Sequence, residues 1–130
     1  MNMKQALFFG ASMLASSECD FAADRVLPGQ YLQLADIEID PAQLEDYKVA
    51  VREQIETAVR EEPGALVLYA VSEKDNPAHI RVFEIYRDAD AYRSHLESAH
   101  FKKYKATTET MVKSLKLAQT IPIMLGAKLR

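Results

Sequence analysis

From Tyr31 to Ile39 the run Tyr-Leu-Gln-Leu-Ala-Asp-Ile-Glu-Ile mixes β-favouring and polar residues without helical spacing, and it predicts a strand. After Asp40 the period changes. Leu44, Tyr47, Val51, Ile55, Ala58 and Val59 recur every three or four residues, while Glu45, Arg52, Glu53 and Glu56 fall mostly on the other side, as in a helix with one buried face. Asp40-Pro41-Ala42-Gln43 supplies a capping-box start, and Glu62-Pro63-Gly64 supplies the stop. Ala65 to Val71 predicts a second strand. Ser72 to Ala78, containing Asp75-Asn76-Pro77, predicts a polar hairpin loop, and His79 to Tyr86 a third strand antiparallel to the second. Asp88 or Asp90 can cap a short helix with Tyr92 and Leu96, and Ser98 another that carries Phe101, Tyr104, Met111 and Val112. Leu115 to Leu129 predicts the last strand, at an edge or bulged at Pro122, which has no amide hydrogen to donate.

The order β-α-β-β-α-β predicts an α+β ferredoxin-like sandwich, a four-stranded antiparallel sheet with helices on one face. Both strand faces are nevertheless apolar. Leu66 and Leu68 oppose Val67, Tyr69 and Val71, and Ile80 and Val82 oppose Phe83 and Ile85. Helices cover one side only, and each large side chain left wet forfeits about 1.5–3 kcal/mol. A homodimer joined through its sheet faces is therefore expected, with a long flap or the N-terminal leader as the rival cover.

Composition narrows the partners. The 130 residues, 48% hydrophobic and 27% charged, suit one domain, expected over residues 31–130. Sixteen basic residues against 19 acidic ones, net charge −3, leave no basic patch for nucleic acid. A lone cysteine, Cys19, excludes an intrachain disulfide and any multi-cysteine metal site. In the leader, residues 1–30, Lys4 precedes the apolar run Ala6 to Ala15 and the small residues Ser16 and Ser17. That is either a signal peptide, which would make the protein periplasmic or exported, or an added N-terminal helix on a cytoplasmic protein. The run is too short to stay in a bilayer.

Glu62-Pro63-Gly64, then Phe83-Glu84-Ile85-Tyr86 followed by Asp88, Ala91 and His95, then Ser98-Ala99-His100-Phe101, make residues 31–125 resemble the antibiotic biosynthesis monooxygenase family. This family includes quinol monooxygenases and an autoinducer-processing isomerase. The resemblance implies a dimeric α+β barrel with a pocket between sheet and helices, often oxidising electron-rich phenols without metal or flavin. Its haem-degrading branch uses a tryptophan near the end of the third strand. Tyr86 stands there in a chain without Trp, which argues against haem.

His95 is the first candidate catalytic group, a proton acceptor for a phenol at an apolar pocket; the resemblance places a histidine there. Glu84 shares a strand face with Ile80, Val82 and Tyr86, so it is expected to be partly buried, either orienting His95, acting as acid or base, or serving only as a structural link. Tyr86 and Tyr69 are expected ring walls, with Tyr47, Phe101 and His100 as further lining or as ordinary core. Arg81 would serve an isomerase acting on a phosphorylated or oxo compound, and a non-catalytic dimeric module would need neither a cavity nor buried His95 and Glu84. No organic cofactor is signalled. A metal site is not expected either, because His95 and His100 are five apart rather than four.

Overall fold

The computed structural model describes residues 29–128, so the leader, apart from Gly29 and Gln30, lies outside the described residues with Cys19. The elements run β1 (Tyr31–Ile39), a 3-10 turn (Pro41–Gln43), α1 (Leu44–Glu61), β2 (Ala65–Glu73), β3 (Asn76–Tyr86), α2 (Ala89–Glu97), α3 (Ala99–Thr108) and β4 (Val112–Thr120). The sheet order is β2-β3-β1-β4, antiparallel throughout, the α+β ferredoxin-like arrangement. Pro28–Ile121 form one compact unit. Among the described residues no helix is long and apolar enough to cross a membrane.

One face of the sheet carries the core. Gln33, Ala35 and Ile37 lie opposite Glu84, Val82 and Ile80, and Ala35, Ile37, Ile39, Ile80 and Val82 pack with Tyr47 and Val51 of α1. Ala58, Ala65, Leu68, Tyr86 and Ala91 form a second cluster. The 3.6-residue period turns Tyr47, Ala50, Val51, Gln54 and Ala58 to the buried side of α1.

Each helix start is tied down. The Asp40 carboxylate accepts from the Ala42 amide at 3.0 Å. Gln43 does not reach back to a backbone amide as a capping box would; its Nε2 donates to Asp40 Oδ2 and to the Thr110 carbonyl, so the first turn is 3-10 and α1 begins at Leu44. Asp88 accepts from the Ala91 amide at 2.8 Å, and Ser98 Oγ accepts from the Phe101 amide at 3.3 Å. Replacing Asp88 with Ala should cost about 1 kcal/mol in urea unfolding, because an amide at the start of α2 loses its acceptor.

Three boundaries differ from the sequence reading. The loop expected over Ser72 to Ala78 is strand on both sides of a turn at Lys74 and Asp75. Pro77 is tolerated there because β1 pairs with β3 only as far as His79, so no β1 partner waits for its missing donor. Met111 and Val112 do not belong to the last helix: α3 ends at Thr108, the Asp40 amide takes the Met111 carbonyl at 2.9 Å, and Val112 opens β4. That strand lies at an edge and ends at Thr120, before Pro122, rather than running to Leu129, which is outside the described residues.

The other face stays apolar in part. Tyr69 is 64% exposed and Val71 58%, with Leu34 also exposed, whereas Leu32 and Ile85 are buried. Leu66 does not simply follow Leu68, because the β2–β3 register shifts between Ala65 and Val67.

Candidate active site

Between the core face, α1, α2 and α3 lies a cavity of about 280 Å³, lined by sheet residues Gln33, Glu84, Leu115 and Leu117, by Gln54 of α1, and by His95, Phe101 and Tyr104 among others. The walls are mostly apolar, and the few polar groups converge on the hollow, as in a small-molecule site. A wider groove of about 540 Å³ runs between α1 and β2, but it is lined by Tyr47, Tyr69 and mainly aliphatic or surface-charged side chains and holds no candidate base. The smaller cavity gathers the candidate groups.

His95 is only 2% exposed. Its ring packs on Phe101 at 4.7 Å and on Tyr86 at 5.3 Å between centroids. Glu62 accepts from its Nδ1–H at 2.9 Å and also takes the Nε2–H of His100. A carboxylate on Nδ1 fixes the tautomer with its proton there and leaves Nε2 with a lone pair. Among the described residues no protein group bonds that Nε2, so a ligand hydroxyl in the cavity can meet it.

Glu62 is placed by the turn that ends α1. Its amide donates to Ala58 at 2.9 Å, its carbonyl accepts from Ala65, and the Gly64 carbonyl accepts from Arg87 at the start of the α2 segment. Glu62 was therefore more than a helix stop. It reaches two helices 33 and 38 residues further on, and no local spacing signals that.

Glu84 does not orient His95, whose Nδ1 is already taken. Its own partners are the Tyr86 hydroxyl, which donates at 2.7 Å, and Gln33 Nε2 at 3.4 Å. Burial pushes the Glu84 carboxyl above the usual carboxylate range, against the pull of those two donors. The raised value contributes stability that is present below the unfolded-state pKa and is lost as pH rises through the folded-state one. Glu84→Gln should thus melt higher than wild type at neutral pH, the gap closing as pH falls to about 4 in a series of thermal melts.

The tyrosines cannot act as bases. Burial pushes the hydroxyls of Tyr47, Tyr86, Tyr92 and Tyr104 upward, so they remain protonated. Tyr47 and Tyr104 are joined hydroxyl to hydroxyl at 2.6 Å. Tyr92 stacks on Tyr31 with ring centroids 4.4 Å apart and lines the cavity with Phe101.

The expected residues divide accordingly. His95, Glu84 and Phe101 line the cavity, Tyr86 backs His95, His100 supports Glu62, and Tyr47 lies beneath its Tyr104 partner. Tyr69 and Arg81 fall elsewhere, because strand alternation turns them to the opposite sheet face, where Tyr69 is opposite Phe83 and Arg81 pairs with Glu73 at 3.5 Å. The one cation on the cavity lining is Lys105, so the isomerase reading loses its Arg81. His95 is buried and Glu84 half-buried beside a real hollow, unlike the exposed, cavity-free arrangement expected of a module without chemistry.

His95 and His100 sit on separate helices, broken at the extended Ser98, so the five-residue spacing did not keep them apart. Donor atoms of Glu62, His95 and His100 lie within 4.8 Å of one another, the one set among the described residues able to gather round a metal ion. In this structure the two imidazoles use the shared carboxylate as a hydrogen-bond acceptor.

A ferredoxin-like sheet with a buried histidine facing an aromatic-walled hollow defines a class of small-molecule pocket proteins. The chain belongs within it to the antibiotic biosynthesis monooxygenase family, whose sequence profile matches residues 30–107. It is similar to a provisionally assigned antibiotic biosynthesis monooxygenase from Bacteriodes thetaiotaomicron, 46% identical, covering 78% of this chain and 97% of that one with a TM-score of 0.75. A provisionally assigned monooxygenase from Lactobacillus acidophilus is 27% identical with a TM-score of 0.71, and the match covers 73% of this chain and 45% of that one. A Nitrosomonas europaea structure, 21% identical with a TM-score of 0.68, shares the fold. No curated relative matches the sequence. Family and neighbours together support a monooxygenase-like role.

Proposed function

We propose that the protein oxidises a small hydroquinone or related phenol with O₂, without metal, flavin or haem. The observation that carries this reading is His95, buried in the cavity wall with Nδ1 held by Glu62 and Nε2 left to accept a proton. Nε2 takes the hydroxyl proton as the ring becomes a phenolate, and the electron-rich ring reduces O₂ directly. For a hydroquinone the balance closes: the ring and O₂ give a hydroxyquinone and water, one oxygen atom entering the ring and the other leaving, with all four electrons drawn from the substrate. Glu62 positions the base. Tyr86 and Phe101 steady the imidazole, Tyr92 and Phe101 hold the ring, and Glu84 with Gln33 forms the polar end of the hollow. Apolar walls exclude water from the phenolate.

The acting species is a homodimer joined through the second sheet face, where exposed Tyr69 and Val71 need cover and Arg81, Glu73, His79 and Asp36 form a charged border. Val71→Asp should shift sedimentation from dimer to monomer; an unchanged species would count against this face.

The test is oxygen uptake over a panel of hydroquinones with ¹⁸O₂ and mass spectrometry of the product. One labelled oxygen per product ring is expected. No uptake with any member, or uptake without label in the product, would overturn the monooxygenase reading.

A further inference from the structure

Gln54 stands where the apolar stripe of α1 should continue, three residues after Val51 and four before Ala58. It is 7% exposed, lines the same cavity as His95, and its Oε1 has no hydrogen-bond partner among the described residues. Native structures seldom leave a buried amide carbonyl unpaired, because it has lost water and gained nothing in return. Its missing partner is a donor. The side chain lines the hollow, so a turn of its terminal amide brings that oxygen to a donor held there.

We propose that Gln54 is the specificity-determining residue of the cavity, accepting a hydrogen bond from a second hydroxyl of the substrate while the first faces His95. The substrate class is thereby narrowed from phenols in general to dihydroxylated aromatic rings. This deepens the oxidation reading and rests on it for the role of the first hydroxyl. Gln54 reads the second hydroxyl, and the rest of the ring meets Leu68, Leu96, Phe101 and Leu117. A ring without that hydroxyl leaves the carbonyl unpaired, so it gains contact area but no discrimination.

Binding calorimetry without oxygen, using hydroquinone, resorcinol and phenol, separates this proposal from turnover. Wild type should bind at least one dihydroxylated ring about tenfold more tightly than phenol. Gln54→Met, close in volume but without the carbonyl, should reduce that preference to within about twofold, the larger loss falling on the dihydroxylated ring. The same variant without ligand should melt higher than wild type, since an unpaired polar group has gone; Gln54→Leu provides a second instance. A preference retained in both variants, no preference in wild type, no binding of any of the three rings, or a lower melting temperature in both variants would overturn the assignment. Discriminating binding without oxygen uptake would keep Gln54 and remove the oxidation; oxygen uptake without discrimination would do the reverse.

Discussion

His95→Ala should lower kcat/KM for hydroquinone oxidation by about 10²–10³-fold, within the range by which a positioned general base accelerates proton transfer. The imidazole is 2% exposed, so its removal also opens a void, and a fold-preserving control is needed. His95→Asn serves, because its amide N–H can still be donated toward Glu62 while the proton acceptor facing the cavity is gone. Both variants should be similarly slow, and His95→Asn should keep more of the wild-type melting temperature. Glu62→Gln should fall between them and wild type, about tenfold down, since the imidazole remains but its tautomer is no longer fixed by a carboxylate. Full activity in His95→Asn would show that the histidine serves packing alone.

Gly64→Ala should be the most costly glycine-to-alanine change among the described residues. A Cβ at Gly64 would stand 2.5 Å from the Cβ of Ala91, an atom fixed to the backbone of α2 and unable to swing aside. Relief requires α2 to move, at about 1–3 kcal/mol, read from the denaturation midpoint. Because α2 carries His95 and residue 64 is two away from Glu62, the same shift should loosen the hydrogen bond that aims the base. Adding Ala91→Gly makes the room again. The double variant should then lose only the roughly 1 kcal/mol that a glycine costs inside a helix, a coupling that a double-mutant cycle measures. Additive losses would mean that the two sites do not touch.

Much of this architecture is legible in the sequence. The change from strand pattern to a three-and-four repeat at Leu44, the stop at Glu62-Pro63-Gly64 and the caps at Asp88 and Ser98 are local signals, and they fixed the order of elements. The misplaced boundaries have a common cause. Polar residues from Ser72 to Ala78 look like a loop, yet an exposed hairpin end bears polar side chains without strain, and Met111 and Val112 continue an apolar pattern that serves a strand as well as a helix. The site was legible in part. Strand alternation placed Glu84 correctly and, applied to Tyr69 and Arg81, would have turned them away, since Tyr69 opposes Leu68 and Arg81 opposes Ile80 and Val82. Glu62 could not be read, because its meeting with His95 and His100 exists only once α2 and α3 have folded back over the end of α1. Gln54 did leave a trace, a polar residue on an apolar stripe, but that trace has meaning only beside the hollow it faces.

The proton-accepting role of His95 is tested most directly with 4-nitrophenol, a ring acidic enough to ionise in its ground state and coloured only as the phenolate. Titrated into the protein slightly below the pH at which the free phenol ionises, it should bind as the yellow phenolate in wild type and as the colourless phenol in His95→Asn. Binding as neutral phenol to wild type, or as phenolate to both proteins alike, would contradict the assignment of His95 as the base.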